Sequence, residues 1–510
     1  MGTVFEVSPG QRQLFLDAFA VSRMERLSRT MHQPEKRGAV LTPDIPSDGT
    51  MVQTRSAPMW VPDEGVYKLV YLAYTMDNPA MVGPALAVSK DGICWEKSDL
   101  GQMTLYGSRK NNRIVVDPAL TWPASCLECV EYDPDDADPS RRYKGLFGAE
   151  GRRPIVSPDC IHWRVLDVPN IPSGDEGTLT YDRPNRRFLA PVKGGNPYGR
   201  AFNISLSEDF LHWTEPRFLF GADAEDQPMA AEAIRQRLAD PGLANPLFVD
   251  PDPETGWMPS EGKPHHPTWR AECYNVGLFP YEGLYIGWPM MYHPTGTDGE
   301  GTNTDGFDLI KLIASRDLMH WEWLGDREPF IGPSRTDNAL VGVWDRIQLA
   351  ITNRPVVRGD ELWFYYSGMK WRDNIYASYP DGSKRSPDSL TVEERADLEE
   401  GWGAICLAVL RRDGFISLDA GADEGMLETR PFVWTGEGLY VNCEASKGEV
   451  CAQVVDSEGK EIALSEPVTG DLLRGRIHWS EGNPSAARGQ VVSLRFRLRN
   501  ARLYSYWLEN

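Results

Sequence analysis

Five acidic residues stand where a β-strand would begin. They are Asp117 in VVDPALTW (115–122), Asp175 and Glu176 in PSGDEGTLTY (172–181), Glu272 in WRAEC (269–273) and Asp345 in GVWDRIQ (342–348). Carboxyl groups that share a pocket push one another's pKa values apart, which leaves one as a proton donor and another as a base. That division of labour is what cleavage of an acetal such as a glycosidic bond requires: one group protonates the leaving oxygen, and a second attacks or activates water. Side chains two apart on a strand share a face. Asp117 lies five residues before Trp122, Glu176 five before Tyr181 and Glu272 seven before Phe279, all odd offsets that put the three on one side. Asp175 has the opposite parity but adjoins a turn, and Asp345 opens a further strand of the same kind. The competing assignment is structural, since Asp and Glu at strand starts often bond turn backbone. Recurrence at one position in successive strands favours chemistry.

Polar and aromatic residues surround these acids. Arg113 precedes Asp117, while Trp269, Arg270 and Tyr274 flank Glu272, and KPHHPTW (263–269) brings His265 and His266 close to it. Arg and His can hold hydroxyl groups, and flat rings can stack on sugar faces or pack between sheets. On this pattern Glu272, among aromatic neighbours that exclude water, is the expected general acid. Asp117, beside Arg113, is the expected ionised base, nucleophile or charge stabiliser, with Asp345 in reserve. No metal or cofactor is expected. CLEC (126–129) is a lone CxxC with neither a second pair nor a nearby His, and a closed zinc site needs four ligands.

Two repeats must position these residues. Ser-x-Asp-x-x-x-Trp occurs four times, as SKDGICW, SPDCIHW, SEDFLHW and SRDLMHW from Ser89, Ser157, Ser207 and Ser315. Each copy follows a short apolar run (ALAV, RPIV, FNISL, IKLIA). Upstream lie five strand-like segments: VYKLVYLAY (66–74), RYKGLFGAE (142–150), RRFLAPVKG (186–194), GLYIGWPMMY (283–292) and ELWFYYSGM (361–369). Each of those follows a turn rich in Asp, Pro or Gly. The unit is therefore strand, turn, strand, strand, Ser-x-Asp turn, Trp strand, with a degenerate fifth copy at LRRDGFISL (410–418). Four-stranded units repeated around a ring make a β-propeller. The expected fold is all-β: a five-bladed β-propeller over 50–415, an N-terminal extension (1–49) packing on it, and a C-terminal β-sandwich over 416–510. Long helices are expected to be scarce, with 227–240 the best candidate and 389–401 another. The turn tryptophans, Trp213 among them, are assigned to packing.

Bulk composition narrows the partners. With 53 basic against 74 acidic residues the net charge is −21, which argues against nucleic acid or an anionic membrane. Seventeen Trp suit a carbohydrate partner. The start MGTVFEVSPGQRQ lacks a basic segment followed by an apolar run, and no stretch has the apolar length of a membrane span. A cytoplasmic location is expected, a trimmed leader aside, and a homo-oligomer is compatible with everything above.

The turn repeat resembles that of the propeller glycosidases of glycoside hydrolase families 32, 43 and 68, and the likeness covers most of residues 50–415. VVDPALTW looks like their Arg-Asp-Pro strand, WRAEC looks like their Glu-Cys motif, and the added sandwich is similar to the family 32 layout. The resemblance implies a glycoside hydrolase or transglycosylase acting on a furanoside or short oligosaccharide, such as a fructoside or arabinoside. One departure stands out. Those families place an Asp on the inner strand of the first blade, where this chain reads TRSAPMW (54–60), with Ala57 before Pro58. Two other readings stay open: a phosphorylase like family 130, which needs a basic phosphate pocket beside a single acid, and a sugar-binding propeller without catalysis.

Overall fold

The computed structural model describes residues 5–74, 81–120, 123–240, 242–243, 271–296, 305–337, 339–370 and 390–510. Antiparallel meanders follow one another along most of this length. The first runs from Met51–Gln53 and Met59–Val61 to Val66–Tyr74 and Gly83–Ser89, with Glu96 bridged to Val88 at its edge. Next comes Leu127–Tyr132, Tyr143–Phe147, Arg153–Ser157 and Arg164–Val165, then Thr180–Asp182, Arg187–Asn196, Gly199–Ser207 and Arg217–Gly221. Another is built from Glu272–Tyr281, Leu284–Gly296, the broken strand Asp305–Ile310 and Ile313–Ser315, and Glu322–Trp323. The last has Gln348–Ile351 and Val356–Arg358 against Glu361–Met369, then Gly403–Arg411, and takes its outermost strand, Glu35–Leu41, from the N-terminal region. A single parallel pair, Met51 with Gly403, joins the last meander to the first. This is a β-propeller, and the chain is all-β but for short helical segments.

The repeated turns share one hydrogen-bond pattern. In each copy the fourth residue (Gly92, Cys160, Phe210 or Leu318) has a positive φ of 75°, 70°, 65° or 64°. Its N–H donates to the Ser Oγ at 2.8–3.0 Å. The Asp Oδ1 accepts the next two backbone N–H groups at 2.8–2.9 Å. Only Gly92 takes the left-handed conformation without strain; in the other copies the Ser and Asp bonds hold a Cys, Phe or Leu there. The tryptophans pack as expected. Trp163 lies where a Cβ on Gly145 would meet its ring at 3.2 Å, Trp321 stands in the same relation to Gly287 at 3.4 Å, and Trp213 meets Phe210 edge-on at 5.3 Å.

Side chains on the inner strands link neighbouring meanders around the axis. Ser56 Oγ accepts from Val130 N, Thr178 Oγ1 donates to Val276 O at 2.9 Å, and Asn353 Oδ1 accepts from Ala57 N at 2.8 Å. Asn353 Nδ2 also reaches Leu179 O at 2.6 Å and Glu131 Oε2 at 2.8 Å. Asn353 thus ties together the segments that carry Ala57, Glu131 and Leu179.

Beyond residue 415 nine strands of a twelve-stranded sheet fold over one apolar core that includes Leu439, Val454, Leu494 and Phe496. Its long strand Gly438–Asp456 pairs with Ala501–Glu509 in its first half and Val491–Arg499 in its second. Gln13–Leu14, Val21–Glu25 and Ser28–Met31 join this sheet, and Phe5 and Phe15 enter its core. The N-terminal region is therefore shared: only Glu35–Leu41 pairs within the propeller. Asp413 ties the two modules together, accepting from Arg12 Nη1 at 2.5 Å, Tyr281 Oη at 2.6 Å and Ser505 Oγ at 2.6 Å. Among the described residues the α-helices are α1, Asp226–Ala239, and α2, Val392–Glu400; α2 is opened by a capping box between Thr391 and Glu394.

Candidate active site

Glu176 and Glu272 belong to one buried cluster at the starts of neighbouring inner strands. Glu176 precedes Thr180–Asp182, and its carboxylate takes Arg55 Nε and Nη2, each at 2.5 Å, and Asn275 Nδ2 at 2.7 Å. Burial alone would raise its pKa. The Arg55 guanidinium, by charge and by this two-pronged hydrogen bond, holds it below the ordinary value, with Lys193 and Arg152 adding to the effect. Asn275 belongs to the strand that Glu272 opens. That strand carries a bulge between Cys273 and Asn275, so Tyr274 is the extra residue. The bulge resets the alternation and brings Glu272 and Asn275 to one face, although their spacing of three would put them on opposite faces of a regular strand.

Glu272 is held from the preceding meander. Arg200 donates to it twice, from its backbone N at 2.9 Å and from Nη1 at 2.7 Å. The expectation of a carboxyl group shielded by aromatic rings is thus altered: the Arg200 guanidinium bonds one oxygen and its backbone N–H the other, and a proton on Glu272 would displace one of those bonds. Tyr274 carries the Arg200 guanidinium 4.8 Å from its ring centre and the Lys193 ammonium 4.3 Å from it. Lys193 also donates to the Tyr274 carbonyl. Burial lowers its pKa to about 8, against the opposing pull of Asp175 and Glu176. Asp175 is exposed at the rim, where Tyr274 Oη reaches it at 3.5 Å.

The remaining expected residues lie elsewhere. Asp117 is not on an inner strand, as its Asp-Pro sequence suggested. It opens an exposed turn, accepting from Ala119 N at 2.9 Å, which is the turn-capping role open to any Asp; the inner strand of that meander is Leu127–Tyr132. Arg113 is buried and pairs with no carboxylate among the described residues. Its guanidinium is fixed on the carbonyls of Ala73, Gly83 and Met81, and burial lowers its pKa to about 10. It therefore staples the first meander and does not steady Asp117. Asp345 is buried ahead of the strand Gln348–Ile351, bonded by Lys36 at 2.7 Å and Tyr366 Oη at 2.8 Å, and among the described residues it makes no hydrogen bond with Glu176 or Glu272. Trp269, Arg270 and His266 fall outside the described residues, as does His265.

Sequence reasoning missed Arg55, Lys193, Arg200 and Asn275. Arg55 occupies the very segment where a carboxylate was sought. The missed signal was a charged residue on an inner strand that should otherwise pack. Below this cluster Glu131 forms a second buried pair, accepting from Arg354 Nε at 3.0 Å and Nη2 at 2.7 Å. No group of three or more His, Cys, Asp or Glu able to hold a metal ion occurs among the described residues.

No family model matches the chain, and no curated protein does. Solved structures do. A Bombyx mori family 32 β-fructofuranosidase matches at 10% identity and a TM-score of 0.38, over 93% of this chain and 94% of that one. The catalytic domain of a Coprinopsis cinerea family 62 α-L-arabinofuranosidase matches at 12% identity and 0.39, over 74% and 97%. A structure from the family 130 mannoside phosphorylases, described as containing hydrolases of β-1,2 mannosidic linkages in Candida mannan, matches at 13% identity and 0.40, over 75% and 94%. At these identities and scores no residue role carries across.

Proposed function

We propose that this chain is a glycoside-cleaving enzyme, a hydrolase or transglycosylase acting on a furanoside-type or short oligosaccharide substrate such as a fructoside or arabinoside. In this proposal the meanders form one five-bladed ring over residues 50–415 whose mouth holds the sugar. The observation that carries the reading is the pair of buried carboxylates on neighbouring strands, Glu176 being bonded by Asn275 from the strand that Glu272 opens. Taking two charges out of water on adjacent strands is costly, and an apolar pair would pack more simply. Glu176, kept ionised by Arg55, takes the role first expected of Asp117: base, nucleophile or stabiliser of positive charge at the anomeric carbon. Glu272 serves as general acid when Arg200 passes from it to a substrate hydroxyl. Tyr274 offers the stacking face.

A second reading, phosphorolysis, is favoured by one observation: Lys193 and Arg200 flank the same ring, a basic pair beside the two acids. Assay of aryl furanosides, fructans and short mannosides with and without inorganic phosphate separates the two. Turnover that needs no phosphate supports hydrolysis; turnover strictly dependent on phosphate supports the second reading. Absence of turnover on all of them, together with retained sugar binding, would mean that the site only binds. Within the hydrolytic reading, Glu272→Gln should abolish turnover of substrates with poor leaving groups and cost much less on activated aryl glycosides. Equal and modest losses on both would remove Glu272 from the acid role.

A further inference from the structure

A cavity of about 710 Å³ lies between helix α1, the strand Asp305–Ile310 and the loop 327–333. It lies apart from the cluster of Glu176 and Glu272, none of whose residues lines it. One wall is apolar, made by Met229, Ala233, Phe307, Leu309, Pro329 and Pro333, and Glu232, Glu328 and several cations complete the lining. A volume of this order suits a small organic ligand.

Four cations line the cavity, and three are occupied. Lys36 bonds Gly332 O, Ser334 Oγ and Asp345. Arg327 pairs with Asp223, Glu225 and Asp226. Arg237 donates to Arg346 O at 2.9 Å and lies over the Phe307 ring. Lys311 is different. It is 5% exposed, yet its ammonium makes no hydrogen bond or ion pair among the described residues; the Trp323 ring lies 5.6 Å from it. The chain places it there by leaving the ladder between Ile310 and Ile313, where Lys311 N bonds Pro289 O at 3.0 Å. Burial lowers its pKa, and the nearby charge of Asp226, the largest opposing influence, does not restore it. The ammonium therefore opens onto the cavity without a hydrogen-bonded partner, with the carboxylates of Asp226 and Glu328 acting on it only at longer range, and a Met or Leu would pack better against the apolar side chains there. A ligand carboxylate bonded directly to the ammonium accounts for it.

We propose that this cavity is a second ligand site, separate from the glycoside-cleaving cluster. It takes a small amphipathic carboxylate whose head group pairs with Lys311 and whose apolar body lies against Phe307 and Leu309. One unpaired cation sets one negative charge on the ligand, and the wall chemistry sets the body.

The test uses the full chain and three probes, benzoate, hexanoate and inorganic phosphate, read by thermal shift and titration calorimetry. Benzoate or hexanoate should raise Tm and bind, with phosphate weaker. Lys311→Met should weaken that binding by at least ~10-fold while leaving the unliganded Tm unchanged or higher. Ala233→Trp, which fills the cavity from α1 and leaves the ammonium in place, should abolish binding too. If Lys311→Met fails to fold, Ala233→Trp decides alone. Overturning results are no shift with either carboxylate, a shift that survives both variants, or phosphate binding as tightly as the carboxylates, which would leave the apolar walls without a role.

Discussion

Arg55→Met isolates the ion pair on which the active-site argument depends. Both partners are buried, Arg55 at 2% and Glu176 at 6% exposure. The substitution leaves Glu176 with Asn275 and the more distant Lys193 and Arg152 charges. Removing one member of a buried pair strands the other, at a cost of about 3–5 kcal/mol. Entropy of unfolding near 2.1 cal/mol/K per residue, over a cooperative unit of 510 residues, is roughly 1 kcal/mol/K. The loss therefore reads as a fall in Tm of about 3–5 °C near neutral pH. Its pH dependence is the sharper signature. In the native protein the Glu176 pKa is depressed, so its contribution is present above the unfolded value and fades as pH falls through the lower folded one. In Arg55→Met burial becomes the dominant influence and the folded pKa rises. The variant is then penalised most at neutral and higher pH, and it recovers relative to the native protein on acidification. Adding Glu176→Gln should restore most of the loss, because the stranded charge is gone. Thermal unfolding of the single and double variants across acid to neutral pH measures all three effects. A loss that does not change with pH, or a double variant no better than the single one, would refute the claim that Arg55 holds Glu176 ionised.

The other predictions concern separate groups. Lys193, with its pKa lowered to about 8, should impose an alkaline fall in substrate affinity near that pH; Lys193→Arg, which does not titrate there, should remove the fall, as KM measured across the range would show. Asp159 caps its turn with a pKa lowered to about 2, so its contribution should be present above the ordinary carboxylate range and lost as pH falls through about 2. Asp159→Ala should cost about 1 kcal/mol in denaturant unfolding, against almost nothing for His162→Ala, whose ring is exposed. Asp413→Ala removes the acceptor shared by Arg12, Tyr281 and Ser505 and should expose the junction of propeller and C-terminal sheet to limited proteolysis while the far-ultraviolet spectrum stays that of a folded β-protein.

Local patterns were readable from the sequence because they act through neighbours in the chain. The Ser-x-Asp turn is complete within six residues, so its spacing alone announced the hairpins and the tryptophans behind them. The segment 66–74 is the strand Val66–Tyr74, and 361–369 is Glu361–Met369. Thr391 opens α2 through a capping box with Glu394, three residues along the chain. The candidate site was only half legible for the opposite reason. Parity counting singled out Glu176 and Glu272, both of which are buried, but it placed Asp117 on a strand that is a turn, and its count from Glu272 to Phe279 had no way to see the bulge that sets Tyr274 aside. Whether a carboxylate caps a turn or enters the axis depends on groups far along the chain. Glu176 is decided by Arg55, 121 residues away; Glu272 by Arg200, 72 away; and Arg113 by carbonyls of the first meander. Turns and strand alternation are settled by adjacent residues. The charge state of a buried carboxylate is settled by whichever side chains the closed ring brings against it, and only the tertiary structure decides that.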